Sequence, residues 1–342
     1  MARCGWKESG MRPCRWLVSS AAALVLLLPA FAQPTKIRVD VSLVHAVATV
    51  KNRDGQLVGN LEKGDFEIYD NGAKQEIAVF EHHTDQALSV ALQIDTSGST
   101  AKELKYESDA CSRFARALLG QGNPLDALSL YTFNWQVRQE IRFSRDLRAV
   151  DARLKLLHGE AGTALYDALV FGARDLEPRE GRKAVVVVTD GGNTVSKYTI
   201  VDALEAAHLA DAVIYSVVVM PITNEAGRNT GGEHSLQFLA ERTGGKIFFP
   251  APGPELDKVF DDIIRELRTQ YMIGFYPKGA PLTKDRFHKL EIRVKRPDLT
   301  VSARNGYYGE AEGGYVGAGE DRISVTPDRQ RPPAPEPPKR KK

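Results

Sequence analysis

The sequence predicts an α/β protein: a doubly wound, mostly parallel sheet inserted between N- and C-terminal β segments that form one small β-sandwich. Three observations predict it. Strands such as Ala184-Val185-Val186-Val187-Val188 have no polar face, amphipathic helices lie between them, and apolar/polar alternation marks both ends of the chain. A strand apolar on both faces must be covered on both, which requires helices on each side of a parallel sheet.

Residues 1–32 read as an address. Arg12 and Arg15 precede an apolar run from Trp16 to Leu28, and Ala30-Phe31-Ala32 offers a small-residue cleavage site before Gln33. This is the layout of a secretory signal, and the run falls short of the roughly 20 residues of a membrane span. The expectation is an exported protein, periplasmic or extracellular, with no transmembrane segment after cleavage; a retained anchor is the alternative. Cys4 and Cys14 leave with the signal. Cys111 then remains on an apolar helical stripe, where it reads as a small buried hydrophobe.

The N-terminal β segment covers 36–83. Ile37, Val39, Val41 and Leu43 alternate with polar neighbours, and Ala48-Thr49-Val50 continues the pattern. Asp70-Asn71-Gly72 separates Phe66–Tyr69 from Ile77–Phe80, a hairpin signal. From 86 to 271 the pattern becomes α/β. An apolar strand, Leu88–Ile94, ends at Asp95, and Leu104, Cys111, Phe114 and Leu118 recur at helical spacing. A strand at Ala127–Phe133, a helix at Ala164–Leu176 and the all-valine strand follow. Then come a helix at Ile200–Ala210, a strand at Val213–Val219, a helix at Ser235–Arg242 and a short strand at Ile247–Phe249. Leu256, Val259, Phe260, Ile263 and Leu267 form the stripe of a last helix.

The C-terminal β segment, 272–308, holds strands at Tyr271–Tyr276, Lys289–Val294 and Val301–Arg304. Edge strands left at both ends of an inserted α/β domain are completed most economically by pairing with each other. The tail, 309–342, is Gly- and Pro-rich and basic, and is expected to be disordered. The net charge of +2 hides an asymmetry, because residues 1–32 carry +3 and 327–342 carry +4, leaving about −5 between them. A slightly acidic body is a poor polyanion binder, so nucleic acid is not the expected partner.

The chemistry sits where strands end. Asp95-Thr96-Ser97-Gly98-Ser99 follows the first apolar strand, Thr189-Asp190-Gly191-Gly192 follows the all-valine strand, and Gly162-Thr163-Ala164 opens a helix between them. Ligands of doubly wound sheets bind at the carboxyl ends of strands. Two carboxylates (Asp95, Asp190) and three hydroxyls (Ser97, Ser99, Thr163) on neighbouring loops would offer five hard oxygens, suited to Mg2+ or Mn2+. Each residue alone is explained as well by helix capping, which Ser97 or Ser99 could provide. All five in order are not.

This set resembles the metal-ion-dependent adhesion site of von Willebrand factor A domains, a Rossmann-like fold, over about residues 86–271. The whole layout is similar to exported bacterial proteins of acidobacterial type that carry such a domain. In these, segments like Val39–Phe80 and Tyr271–Pro277 flank it. The resemblance implies that Ser97, Ser99 and Thr163 ligate the metal directly, that Asp95 and Asp190 act mostly through water, and that a partner's carboxylate completes the shell. A neutral hydroxyl set leaves the ion's charge incompletely neutralised, which favours an acidic ligand.

Other motifs carry less. His82-His83 lacks the companions of a zinc site, and Glu233-His234-Ser235 are too adjacent to form a triad. Gly244-Gly245-Lys246 lacks phosphate-loop spacing, and Asp70-Asn71-Gly72 lacks the closing Glu of a calcium loop. The sequence therefore reads as a non-enzymatic, metal-dependent binding module for an acidic group on a protein or envelope partner. The alternatives are a structural envelope component with a stabilising metal and, behind it, a metal-assisted hydrolase using Asp95 and Asp190.

Overall fold

The computed structural model describes residues 43–82, 86–101, 103–120, 122–219, 229–279 and 286–309, all within one compact unit. The expected signal at residues 1–32, Ile37–Val41, His83 and the tail from 310 lie outside the described residues.

The chain opens with β1 (Val44–Asn52), β2 (Phe66–Asp70), β3 (Ala73–Gln75) and β4 (Ile77–His82). The α/β part follows as β5 (Leu88–Asp95), α1 (Leu104–Gly120), β6 (Ala127–Phe133), β7 (Val137–Ser144), α2 (Leu147–Leu154), α3 (Leu165–Leu176) and β8 (Arg182–Thr189). It continues through α4 (Ile200–Leu209), β9 (Ala212–Val218), α5 (Thr230–Thr243), β10 (Lys246–Phe248) and α6 (Pro254–Thr269). The chain then returns to β with β11 (Tyr271–Phe275), β12 (Phe287–Val294), β13 (Leu299–Ala303) and β14 (Gly306–Tyr308).

The central sheet runs β10-β9-β8-β5-β6-β7, parallel except for β7 at the edge. Every residue of β5 is buried, as the absence of a polar face requires. One apolar cluster joins α1, α2 and α6 to one face of the sheet, and a second joins α3, α4 and α5 to the other. Cys111 is fully buried in the first cluster, as expected.

Strands from both ends of the chain share two further sheets, β13-β1-β11-β4 and β14-β12-β2-β3. Ala46 stands opposite Ile273, and Ile68 opposite Ile292. The core they enclose includes Phe66, Ile68, Tyr271, Ile273 and Phe275, with the Phe66 and Tyr271 rings 5.1 Å apart. Tyr271 donates to the Val58 carbonyl at 2.7 Å and accepts from the Leu61 N–H at 3.0 Å, pinning the irregular 53–65 stretch. Where the α/β part meets these sheets, Glu266 takes Lys51 at 2.5 Å and Tyr215 at 3.1 Å, while Gln270 bonds Thr49 and Tyr215.

Three local expectations change. The Asp70-Asn71-Gly72 hairpin forms, with Asn71 and Gly72 both at positive φ, but β2 pairs with Ala73–Gln75 and not with Ile77–Phe80. A two-residue turn fixes pairing to the residues immediately beside it. Gln75 then bonds the Lys278 backbone in both directions, and the chain passes through Glu76 into the other sheet as β4. Next, β7, α2 and β14 were absent from the sequence reading. β7 is a half-exposed, charged edge strand, and α2 is a short helix capped by Asp146, which accepts from the N–H groups of Arg148 and Ala149. Finally, α5 begins at Thr230 rather than Ser235, taking up Gly231 and Gly232, and Asn229 caps it by accepting from the Gly232 N–H at 3.0 Å. Among the described residues, no helix is long and apolar enough to cross a membrane.

Candidate metal centre

Asp95 closes β5, and Asp190 follows β8, its neighbour in the sheet. Asp95 is fully buried, and both of its oxygens are committed. Oδ1 accepts the Ser97 N–H at 2.8 Å, and Oδ2 accepts the Thr189 hydroxyl at 2.6 Å. The first bond folds the Asp95–Ser99 turn back on itself. The second ties the ends of the two strands together. The Thr189 hydroxyl also accepts from the Gly191 N–H at 3.0 Å, and Oδ1 of Asp190 accepts from the Gly192 N–H at 2.9 Å.

The seryl hydroxyls Ser97 Oγ and Ser99 Oγ lie 3.0 Å apart, and α1 begins only at Leu104. Thr100 takes over the local backbone role instead, its hydroxyl donating to the carbonyls of Asp95 and Ser97. The two serines are thus side by side at the rim rather than spent on the helix.

Thr163 is fixed by the loop that follows Asp190. Its N–H donates to the Thr194 hydroxyl at 2.9 Å, and its carbonyl accepts from the Thr194 N–H at 2.8 Å. A side-chain carbon placed on Gly192 would stand 3.1 Å from Oδ1 of Asp190 and 3.6 Å from Oγ1 of Thr163. Those two donors therefore flank one space, and glycine leaves it open. Gly191, at φ +86°, turns the chain beneath it, and its carbonyl lies so close to Gly232 that any side chain there would collide. This close approach explains the glycine at 232 in the first turn of α5.

A second loop braces the first. The Glu160 N–H donates to the Thr96 carbonyl at 2.8 Å, the Asn134 carbonyl accepts from the Ala164 N–H at 2.7 Å, and Trp135 Nε1 donates to Glu160 at 3.0 Å. Gly162, at φ +84°, lies against the Trp135 backbone, where a Cβ would come within 2.9 Å of the Trp135 Cβ. Sequence reading gave no role to Asn134, Trp135 or Glu160, because the β6–β7 turn and residues 155–160 become neighbours only through the sheet.

Burial pushes the Asp95 carboxyl up to about 7; the bonds from Thr189 and Ser97 pull down, and the nearby Asp190 charge pushes further up. A site that raises a carboxyl this way holds negative charge unfavourably. Among the described residues, no three His, Cys, Asp or Glu side chains sit close enough to ligate one metal. The candidate donors are two carboxylates and three hydroxyls, a hard-oxygen set that would fit Mg2+ or Mn2+ rather than zinc.

Residues 90–193 match the von Willebrand factor type A domain. The matched stretch contains all five candidate oxygen donors. No curated protein matches the chain. Similar solved structures include the conserved hypothetical protein BatB from Bacteroides thetaiotaomicron, 19% identical over 53% of this chain and 97% of that one, with a TM-score of 0.43. An aerotolerance-related membrane protein from Bacteroides fragilis is 20% identical over 53% and 98%, with a TM-score of 0.41. The vWF domain of a type V pili tip protein from Porphyromonas gingivalis is 13% identical over 53% and 95%, with a TM-score of 0.45.

Proposed function

We propose that this is an exported, non-enzymatic binding module that uses a divalent cation, Mg2+ or Mn2+, to capture an acidic group on a protein or envelope partner. One observation carries the reading. At the end of β5, Asp95 is bonded by Thr189 of the neighbouring strand and the Ser97 and Ser99 hydroxyls lie side by side, while at the end of β8, Asp190 and Thr163 flank a space that Gly192 leaves open. Ser97, Ser99 and Thr163 would hold the cation directly, and Asp95 and Asp190 would act mainly through water. A cation there supplies an unfilled position of positive charge for a partner's carboxylate.

The chain's own residues do the rest. Asp95 is already bonded through both oxygens, so it orients the turn rather than acting as a free base, which weighs against hydrolysis. Thr194 and Glu160 hold the two loops in register, so ligand binding meets a preformed rim. Export rests on the leader pattern of residues 1–32.

An array of Asp- and Glu-bearing peptides, probed with the protein in Mg2+ and in EDTA, tests this. Capture in Mg2+, lost with EDTA and in Asp190→Ala with the circular dichroism unchanged, is expected. Undiminished capture in EDTA would remove the cation from the mechanism. A melting temperature that falls with EDTA while no peptide is captured would favour the stabilising-metal alternative.

A further inference from the structure

Glu107 lies on the sheet-facing side of α1, between Leu104 and Cys111, and is fully buried. Neither of its carboxylate oxygens has a hydrogen-bond partner. A buried carboxyl of purely architectural use has a donor or a cation beside it, since an unpaired buried charge is among the costliest groups a fold can hold.

Among the described residues, the surroundings offer none. The charged groups acting on Glu107 are Asp95 at the end of β5, Glu103 before the helix and Asp190 after β8, all acidic. From α2, Asp151 is bonded by Ser112 and Arg116, with Lys155 acting on it. Across α6, Arg113 is bonded to Asp257, and the face toward α1 is apolar, with Phe260 against Phe114. β6 contributes Leu128 and Leu130. The carboxyl is pushed well above its ordinary range, first by burial and then by those three acids.

Resting on the metal-binding reading above, we propose that Glu107 is a third acid of the cation pocket. Neutral while the pocket is empty, it loses its proton when a divalent cation enters, and its charge then holds that cation. The proton passes to solvent and the carboxylate stays, so charge balances. Among the described residues, no three acidic side chains sit close enough to share one ion, so Glu107 works through the field in a low-dielectric layer, where charge interactions reach further than in water. It distinguishes this pocket from one built of five donors alone, favouring tight cation retention at neutral pH and weak retention in acid.

The experiment is calorimetric titration of Mn2+ into the full chain at pH 7, in two buffers of different ionisation enthalpy. Wild type, Glu107→Gln and Glu107→Met are compared, with melting temperatures recorded in EDTA. Wild type should release up to about one more proton per cation than either variant. The variants should bind Mn2+ about tenfold more weakly. In EDTA they should melt no lower than wild type, because removing an unpaired buried acid relieves the fold. Equal proton release and equal affinity across the three proteins would overturn the proposal and leave the metal-binding reading intact. Variants that melt lower in EDTA while binding Mn2+ normally would also overturn it, assigning Glu107 to architecture. If wild type takes up no Mn2+ or Mg2+, the metal-binding reading fails first and this inference with it.

Discussion

The Thr189 hydroxyl donates to Oδ2 of Asp95 at 2.6 Å, joining the carboxyl ends of two adjacent parallel strands. Both residues are fully buried, so the bond forms where water cannot replace it. Thr189→Val keeps the shape and removes the donor, which should cost about 1–3 kcal/mol. It should also raise the Asp95 carboxyl further, since this bond is the largest influence lowering it. Mn2+ affinity at pH 7 should then fall together with the urea midpoint. A midpoint and an affinity both unchanged would mean that the strand ends are held by something else.

Gly162 and Gly55 share a positive φ, +84° and +76°, yet differ in surroundings. A Cβ on Gly162 meets the Trp135 Cβ at 2.9 Å, whereas one on Gly55 meets nothing within 4 Å. Gly55→Ala should cost only backbone strain, about 1–2 kcal/mol. Gly162→Ala should cost more, by roughly 1–3 kcal/mol, and should displace Thr163. Melting temperatures and Mn2+ titrations of the pair check this, and equal behaviour would dissociate Thr163 from the Trp135 turn.

Trp135 is 56% exposed although its ring nitrogen is bonded to Glu160, an apolar surface held rigidly at the rim of the site. Exposed, preorganised tryptophans make strong binding contacts. Trp135→Ala should weaken capture of an acidic peptide by about ten- to a hundredfold. Cation affinity should stay as it is. Loss of cation binding in this variant would show that the turn is part of the metal framework instead.

His208 is buried near the Arg304 guanidinium, which bonds Asp211 and the His45 and His208 carbonyls. Burial pushes its imidazole down to about 4 from 6.5, against the raising effect of its bond to the Arg242 carbonyl. The unfolded chain therefore takes up this proton near 6.5 and the folded chain only near 4. Between those values the unfolded state binds more protons, so this group's contribution falls as pH drops, by up to about 3 kcal/mol. His208→Gln should lose less stability than wild type between pH 7.5 and 4.5 in urea titrations. Parallel losses would show that the imidazole is not the group responsible.

Much of this organisation was legible from residue order. Apolar strands without a polar face and the stripe Leu256–Leu267 each depend on local spacing; the strands took their places in the sheet and the stripe packed against one of its faces. β7 was not legible, because its charged pattern of burial is half-solvated and mimics a loop. Glu107 left a signal that passed unread, a carboxylate on the apolar stripe between Leu104 and Cys111.

The sequence by itself determined the layered α/β architecture, the return to β at both ends and which five oxygen-bearing side chains to propose as donors, since patterning and strand-end motifs act over a few residues. Only the tertiary structure decided which strands pair across the inserted domain, how Thr189 locks Asp95, and that Glu107 stands buried and unpartnered on α1. Those relations join residues far apart in the chain, and they exist only once packing removes water and brings the separate segments within a hydrogen bond of one another.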